Sequence, residues 1–173
     1  MMIRKICVVG DPGVGKTRLV EAWRGNDATG AASPAVGVSV HRKVVRTRGS
    51  EVSLVVLDLS GRLTRAAYPP DFLRGCAGYV LVLDTSGPVS LEQAQWLRAR
   101  VEAGIGPAPS VVAANKADLG FDPGVGWADL AALAGGEEWL LRTSAVTGEG
   151  VDALFERLAQ RLLQPAPPLV RRA

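Results

Sequence analysis

The chain has 173 residues, 47% of them hydrophobic and 21% charged, with a formal net charge of +3 and a pI near 9.2. That length suits one compact domain with its own core and is short for two, and the apolar content excludes wholesale disorder. The positive excess is scattered apart from a cluster at Arg42, Lys43, Arg46 and Arg48. A solvated strand face is the preferred reading of that cluster over a docking patch, and no nucleic-acid partner is expected. Cys7 and Cys76 make no disulfide framework and read as reduced thiols. No apolar run reaches the length of a membrane span. No secretory signal, prenylation site or myristoylation site is visible, so the expectation is a soluble cytoplasmic protein with no membrane anchor of its own.

In chain order, Ile3–Gly10 reads as a buried strand and Gly15–Trp23 as the helix that follows it. Gly25–Val36, rich in Gly, Ala and Ser, reads as a mobile loop. Ser39–Thr47 and Val52–Asp58 are β-branched runs joined by a hairpin turn at Arg48–Glu51. Arg65–Gly75 reads as a short irregular helix broken by Pro69 and Pro70, and Tyr79–Asp84 as a buried strand. Leu91–Ala103 carries Leu91, Ala94, Leu97 and Val101 on one helical face. Ser110–Asn115 is a strand, Asp129–Ala134 a short helix, Trp139–Thr143 a short strand and Val151–Leu163 the last helix. The expected fold is α/β: six strands, one of them antiparallel, in a mostly parallel sheet with helices on both faces. Residues 1–164 form the expected domain and 165–173 a tail rich in proline and arginine.

Four short segments carry chemistry. Gly10-Asp11-Pro12-Gly13-Val14-Gly15-Lys16-Thr17 fits the phosphate-cradling pattern G-x-x-x-x-G-K-[ST] between a strand and a helix, with Arg18 next in line. Its glycines let backbone N–H groups approach phosphate oxygens, the helix N-terminus adds partial positive charge, and Lys16 can reach the β/γ-phosphates. The Thr17 hydroxyl and Asp58, at the end of its apolar strand, are the candidate Mg²⁺ ligands. The Gly61 backbone N–H is placed to meet a γ-phosphate. Asn115-Lys116-Ala117-Asp118 follows a strand. The Asp118 carboxylate can accept from both N1–H and the N2 amine of guanine, a donor pair adenine lacks. Lys116 can cover the base with its stem, and Asn115 can tie this loop to the phosphate loop. Ser144, Ala145 and Val146 follow the last strand and can offer N–H groups to the guanine O6.

In their order and spacing these segments resemble the motifs of the Ras superfamily of small GTPases, most closely Rab-like and bacterial members, over nearly the whole chain. The resemblance implies a P-loop G domain that binds GTP and GDP with Mg²⁺ and hydrolyses GTP. It also implies a loop switch served by an exchange factor, an activating protein and effectors. Three departures stand out. Ala35 occupies the place of a Mg²⁺-binding threonine, with Ser33 a substitute by another loop path. Gly25–Val36 holds none of the aromatics that pack on the base. Arg62 follows Gly61 where the family commonly carries a glutamine that orients water; a guanidinium accepts no hydrogen bond. Arg62 is read either as a solvated side chain or as an arginine finger within the chain. Together with Lys16 and Gly61 it completes the catalytic candidates. The expectation is slow hydrolysis by a switch. The alternatives are a binding module that holds nucleotide without turnover and, if Asp118 is idle, an ATPase or kinase.

Of the remaining residues, His41 is expected to be structural or solvent-facing. Trp23 is expected to pack under the mobile loop and Trp127 and Trp139 to cover the core, while Trp96, off the main apolar stripe of its helix, is a candidate for an exposed residue that marks a contact surface.

Overall fold

A computed structural model describes residues 1–25, 29–33, 38–59 and 70–164. Seven strands among them form one sheet: β1 (Met2–Val9), β2 (Thr29–Ser33), β3 (Val38–Thr47), β4 (Ser50–Asp58), β5 (Gly78–Asp84), β6 (Ser110–Asn115) and β7 (Leu140–Arg142). Their order is β2-β3-β4-β1-β5-β6-β7. β4, β1, β5, β6 and β7 pair in parallel; β3 is antiparallel to both neighbours, so it alone runs against the rest. The helices are α1 (Lys16–Arg24), α2 (Pro70–Leu73), α3 (Leu91–Ile105), α4 (Trp127–Ala134) and α5 (Val151–Leu163).

The central strands read as continuous apolar runs because both of their faces are covered. On one face Ile6 and Val8 of β1 and Val80 and Val82 of β5 meet Leu19, Val20 and Trp23 of α1 and Leu154, Phe155 and Leu158 of α5. On the other, Cys7, Val9, Tyr79 and Leu81 meet Leu73 of α2, Ala94, Leu97 and Val101 of α3, and Leu130 and Leu133 of α4. Both cysteines are free and buried. The β3–β4 turn is two residues long, with Thr47 opposite Ser50. Arg48 and Gly49 both have positive φ, 46° and 76°, which matches the twist of a tight hairpin. Pro70 opens α2, where its missing N–H costs no helical bond.

Several expectations need correction. The sheet has a seventh strand: part of the expected mobile loop, Thr29–Ser33, pairs along β3 from Arg42 to Val38. Backbone pairing to a long neighbour there overrides the low strand propensity of Gly30, Ala31 and Ala32. α3 and α4 run longer than expected, and a 3₁₀ turn at Glu137–Trp139 replaces the start of the last strand. Trp23 stacks on Phe155 of α5 with centroids 4.3 Å apart, and the Lys43 ammonium lies 5.5 Å over its ring. Trp96 is partly buried against the core. Trp127 and Trp139 are also partly buried there, as expected. His41 is buried, and its Nδ1 has no hydrogen-bond partner among the described residues. The basic cluster is largely engaged locally: Arg42 donates to Ser53 Oγ, Lys43 pairs with Asp152 and Arg46 with Glu51. The tail from 165 onward lies outside the described residues.

Candidate functional site

Because β4, β1, β5, β6 and β7 run the same way, their C-terminal ends gather along one edge of the sheet. There the chain departs on either side of β1, the position where open α/β sheets leave a crevice. The loop after β1 wraps tightly. A Cβ on Gly10 would stand 2.5 Å from the Val82 carbonyl oxygen and 2.9 Å from Val14 Cγ2. Gly15 has φ 98°, and a Cβ there would meet Asn115 Nδ2 at 2.7 Å. α1 starts immediately afterwards with no side-chain cap and no acidic residue in its first turn. Its leading N–H groups and the positive end of its dipole are thus left for an external anion.

Lys16 is buried and folds back over the loop, donating from Nζ to the carbonyls of Gly10 at 2.9 Å and Asp11 at 2.8 Å. Burial lowers its pKa, against the opposing pull of Asp58 and Asp11. Asp58 pairs in register with Val8, one residue from the end of β1. Its side chain is 0% exposed, and neither carboxylate oxygen has a hydrogen-bond partner among the described residues. Burial pushes its pKa up; the nearby Thr17 hydroxyl, then the Lys16 ammonium, pull it back. Thr17 approaches that carboxylate without reaching ordinary hydrogen-bond geometry. Asp11 turns to the neighbouring helix and accepts from Gln93 Nε2 of α3 at 3.1 Å. Pro12 and Gly13 stay exposed.

The second half-site is cross-braced to the first. Asn115, at the end of β6, donates from Nδ2 to the Val14 carbonyl at 2.9 Å and accepts at Oδ1 from the Thr143 hydroxyl at 3.0 Å. One buried amide thereby fixes the phosphate loop, the β6 loop and the β7 loop together. Lys116 adopts a left-handed φ of 65°, and its ammonium pairs with Asp84 Oδ2 at 2.6 Å. Asp84 also accepts at Oδ1 from the backbone N–H and hydroxyl of Ser86. Although burial works the other way, the hydrogen bonds from Lys116 and Ser86 leave its carboxyl below the usual range. Ser144 donates to Asp118 Oδ1 at 2.6 Å while accepting from the N–H groups of Val146 and Thr147. Ser144 thus uses one acceptor position of Oδ1, and among the described residues no hydrogen bond takes Oδ2 of Asp118. Beside Asp118 lies a cleft of about 250 Å³ lined by Gly15, Arg18, Asn115, Lys116, Leu119, Ala145 and Val146.

Most of the expected site residues therefore converge on one edge: the loop from Asp11 to Arg18, Asp58, Asn115 to Asp118, and Ser144 to Val146. Ala35, Gly61 and Arg62 lie outside the described residues, as does the side chain of Ser33. Asp84 and Gln93 were missed. Asp84 carried the same signal as Asp58, a carboxylate ending an apolar strand; Gln93 carried none, since its partner is 82 residues away. No group of three or more His, Cys, Asp or Glu stands together among the described residues. A cation bound at Thr17 and Asp58 would therefore have to share its shell with ligand phosphates and water.

The Ras family pattern matches residues 5–164. The chain is similar to the Ras-related protein Rab-4B of Rattus norvegicus, 30% identical over 164 residues that cover 92% of this chain and 76% of the relative. It is similar to the Ras-related protein Rab-4A of Homo sapiens, 28% identical over 161 residues covering 92% and 74%. It is also similar to the GTP-binding protein Rheb homolog of Dictyostelium discoideum, 25% identical over 174 residues covering 95% and 92%. With a matching pattern across almost its full length, and a P-loop, a buried carboxylate and a cleft along one sheet edge, the chain belongs to the Ras family of GTP-binding switch proteins.

Proposed function

We propose that this protein binds GTP and GDP with Mg²⁺, hydrolyses GTP slowly and acts as a switch whose loops are atypical. The observation that carries the reading is Asp58. A fully buried carboxylate with both oxygens unpartnered is costly in a fold unless something positive completes it. It stands beside Lys16, Thr17 and an uncapped helix start. Mg²⁺, held by Thr17 and Asp58, would supply charge neutralisation for the β/γ-phosphates. Lys16 would exchange its two carbonyl acceptors for phosphate oxygens, and the α1 N–H groups would take the remainder. At the other end Asp118 would accept from the base at Oδ2 and at the second lone pair of Oδ1, whose first is taken by the Ser144 hydroxyl.

Hydrolysis is proposed to be slow because the sequence offers Ala35, without a side-chain oxygen, where a Mg²⁺-binding threonine is wanted, and Arg62, without an acceptor, where a water-orienting glutamine is wanted. The same two residues favour a second reading, a module that holds nucleotide without turnover. Exchange, activating and effector proteins are the partners such a switch takes. Asp118→Asn tests the base site: guanine binding should weaken at least about tenfold, in line with a charge-assisted bidentate contact, with a gain for xanthine nucleotides, whose 2-oxo group suits an amide donor. Unchanged guanine preference in that variant would remove Asp118 from the base site.

A further inference from the structure

No aromatic side chain lines the cleft beside Asp118. Nor does the sequence from Gly25 to Val36 contain one. A bound purine needs both faces covered, by aromatic rings, aliphatic stems or guanidinium planes. Lys116 can cover one face, because the ion pair with Asp84 draws its ammonium away and fixes its stem. Leu119 and Val146 form an apolar lip, 66% and 70% exposed.

Arg18 reaches the cleft from a different element, the first turn of α1. It is exposed, and among the described residues the ion pairs engage Lys43, Arg46, Arg98 and Lys116 rather than Arg18. No hydrogen bond among those residues holds it either. A guanidinium is planar, delocalised and weakly hydrated, so it stacks where an ammonium does not. We infer that Arg18 lies on the open face of the bound base, across from Lys116, and supplies the stacking surface that an aromatic ring would otherwise provide. This rests on the reading of the Asp118 cleft as a guanine site.

The test is the dissociation rate of GDP from the full chain in Mg²⁺, for wild type, Arg18→Ala, Arg18→Lys and Arg18→Tyr. Thermal melts would check that each variant folds, which the exposure of Arg18 favours. If Arg18 stacks, Arg18→Ala releases GDP about 2–30-fold faster. Arg18→Tyr, which restores a plane without charge, returns near the wild-type rate, whereas Arg18→Lys stays near Arg18→Ala. The reverse pattern, rescue by lysine and none by tyrosine, overturns the inference and makes Arg18 a phosphate contact. An Arg18→Ala rate equal to wild type overturns it as well. Wild-type protein that retains no GDP would instead overturn the base-site reading beneath it.

Discussion

Asp58 and Asn115 show how single residues can be read for what they lack and what they hold. Burial raises the folded-state pKa of Asp58 above its ordinary 3.8, so the native state binds that proton more tightly than the unfolded chain. Its contribution is therefore favourable below pH 3.8 and is lost as pH rises through the folded value. Asp58→Asn should accordingly stabilise the nucleotide-free, Mg²⁺-free protein at pH 7, by about 1 kcal/mol or 2–4 °C in Tm. The gain should vanish at acid pH, and the same substitution should weaken Mg²⁺-dependent nucleotide retention. Melting curves with and without Mg²⁺ and GDP check both signs; destabilisation of the metal-free form would show that Asp58 is satisfied in some other way. Asn115→Ala leaves the Val14 carbonyl and the Thr143 hydroxyl without partners. At about 1–3 kcal/mol for each orphaned group, Tm should fall by several degrees even without nucleotide, a loss that a residue serving only the ligand would not cause.

The elements differ in how plainly the sequence announces them. The strand–loop–helix at Gly10–Thr17 and the carboxylate ending β4 were legible because apolar runs, glycine spacing and strand-end polar residues are local signals. α5 was legible to the residue, since Leu154, Phe155 and Leu158 fall at helical spacing and all are buried. β2 was not: Gly30, Ala31 and Ala32 lack strand propensity, and the pairing depends on a neighbouring strand rather than on the segment itself. The stacking of Trp23 on Phe155 was hidden for the same reason, as it joins the first helix to the last. Phe155→Ala removes that contact and opens a cavity between α1 and α5. A loss of about 3–5 kcal/mol is expected by chemical denaturation, and a value under 1 would mean that α1 and α5 are held by other contacts. Gly15→Ala should lower both Tm and nucleotide retention, because φ 98° strains any side chain there and the new methyl group collides with Asn115 Nδ2 at the junction of the two half-sites.

At the scale of the molecule, two half-sites built on separate loops are locked into one edge by Asn115, by the Lys116–Asp84 pair and by the Asp11–Gln93 bond. That bracing fixes the two loops relative to each other before any ligand arrives. The residues that would sense or cleave the γ-phosphate, Ala35 and Arg62, belong to segments whose sequence departs from the family pattern. The most direct test loads the protein with GTP and Mg²⁺ and follows bound nucleotide and released phosphate together through a single turnover. The account predicts Mg²⁺-dependent retention that Lys16→Ala abolishes, with phosphate appearing more slowly than from ordinary small GTPases. Failure to retain either GTP or GDP would contradict it.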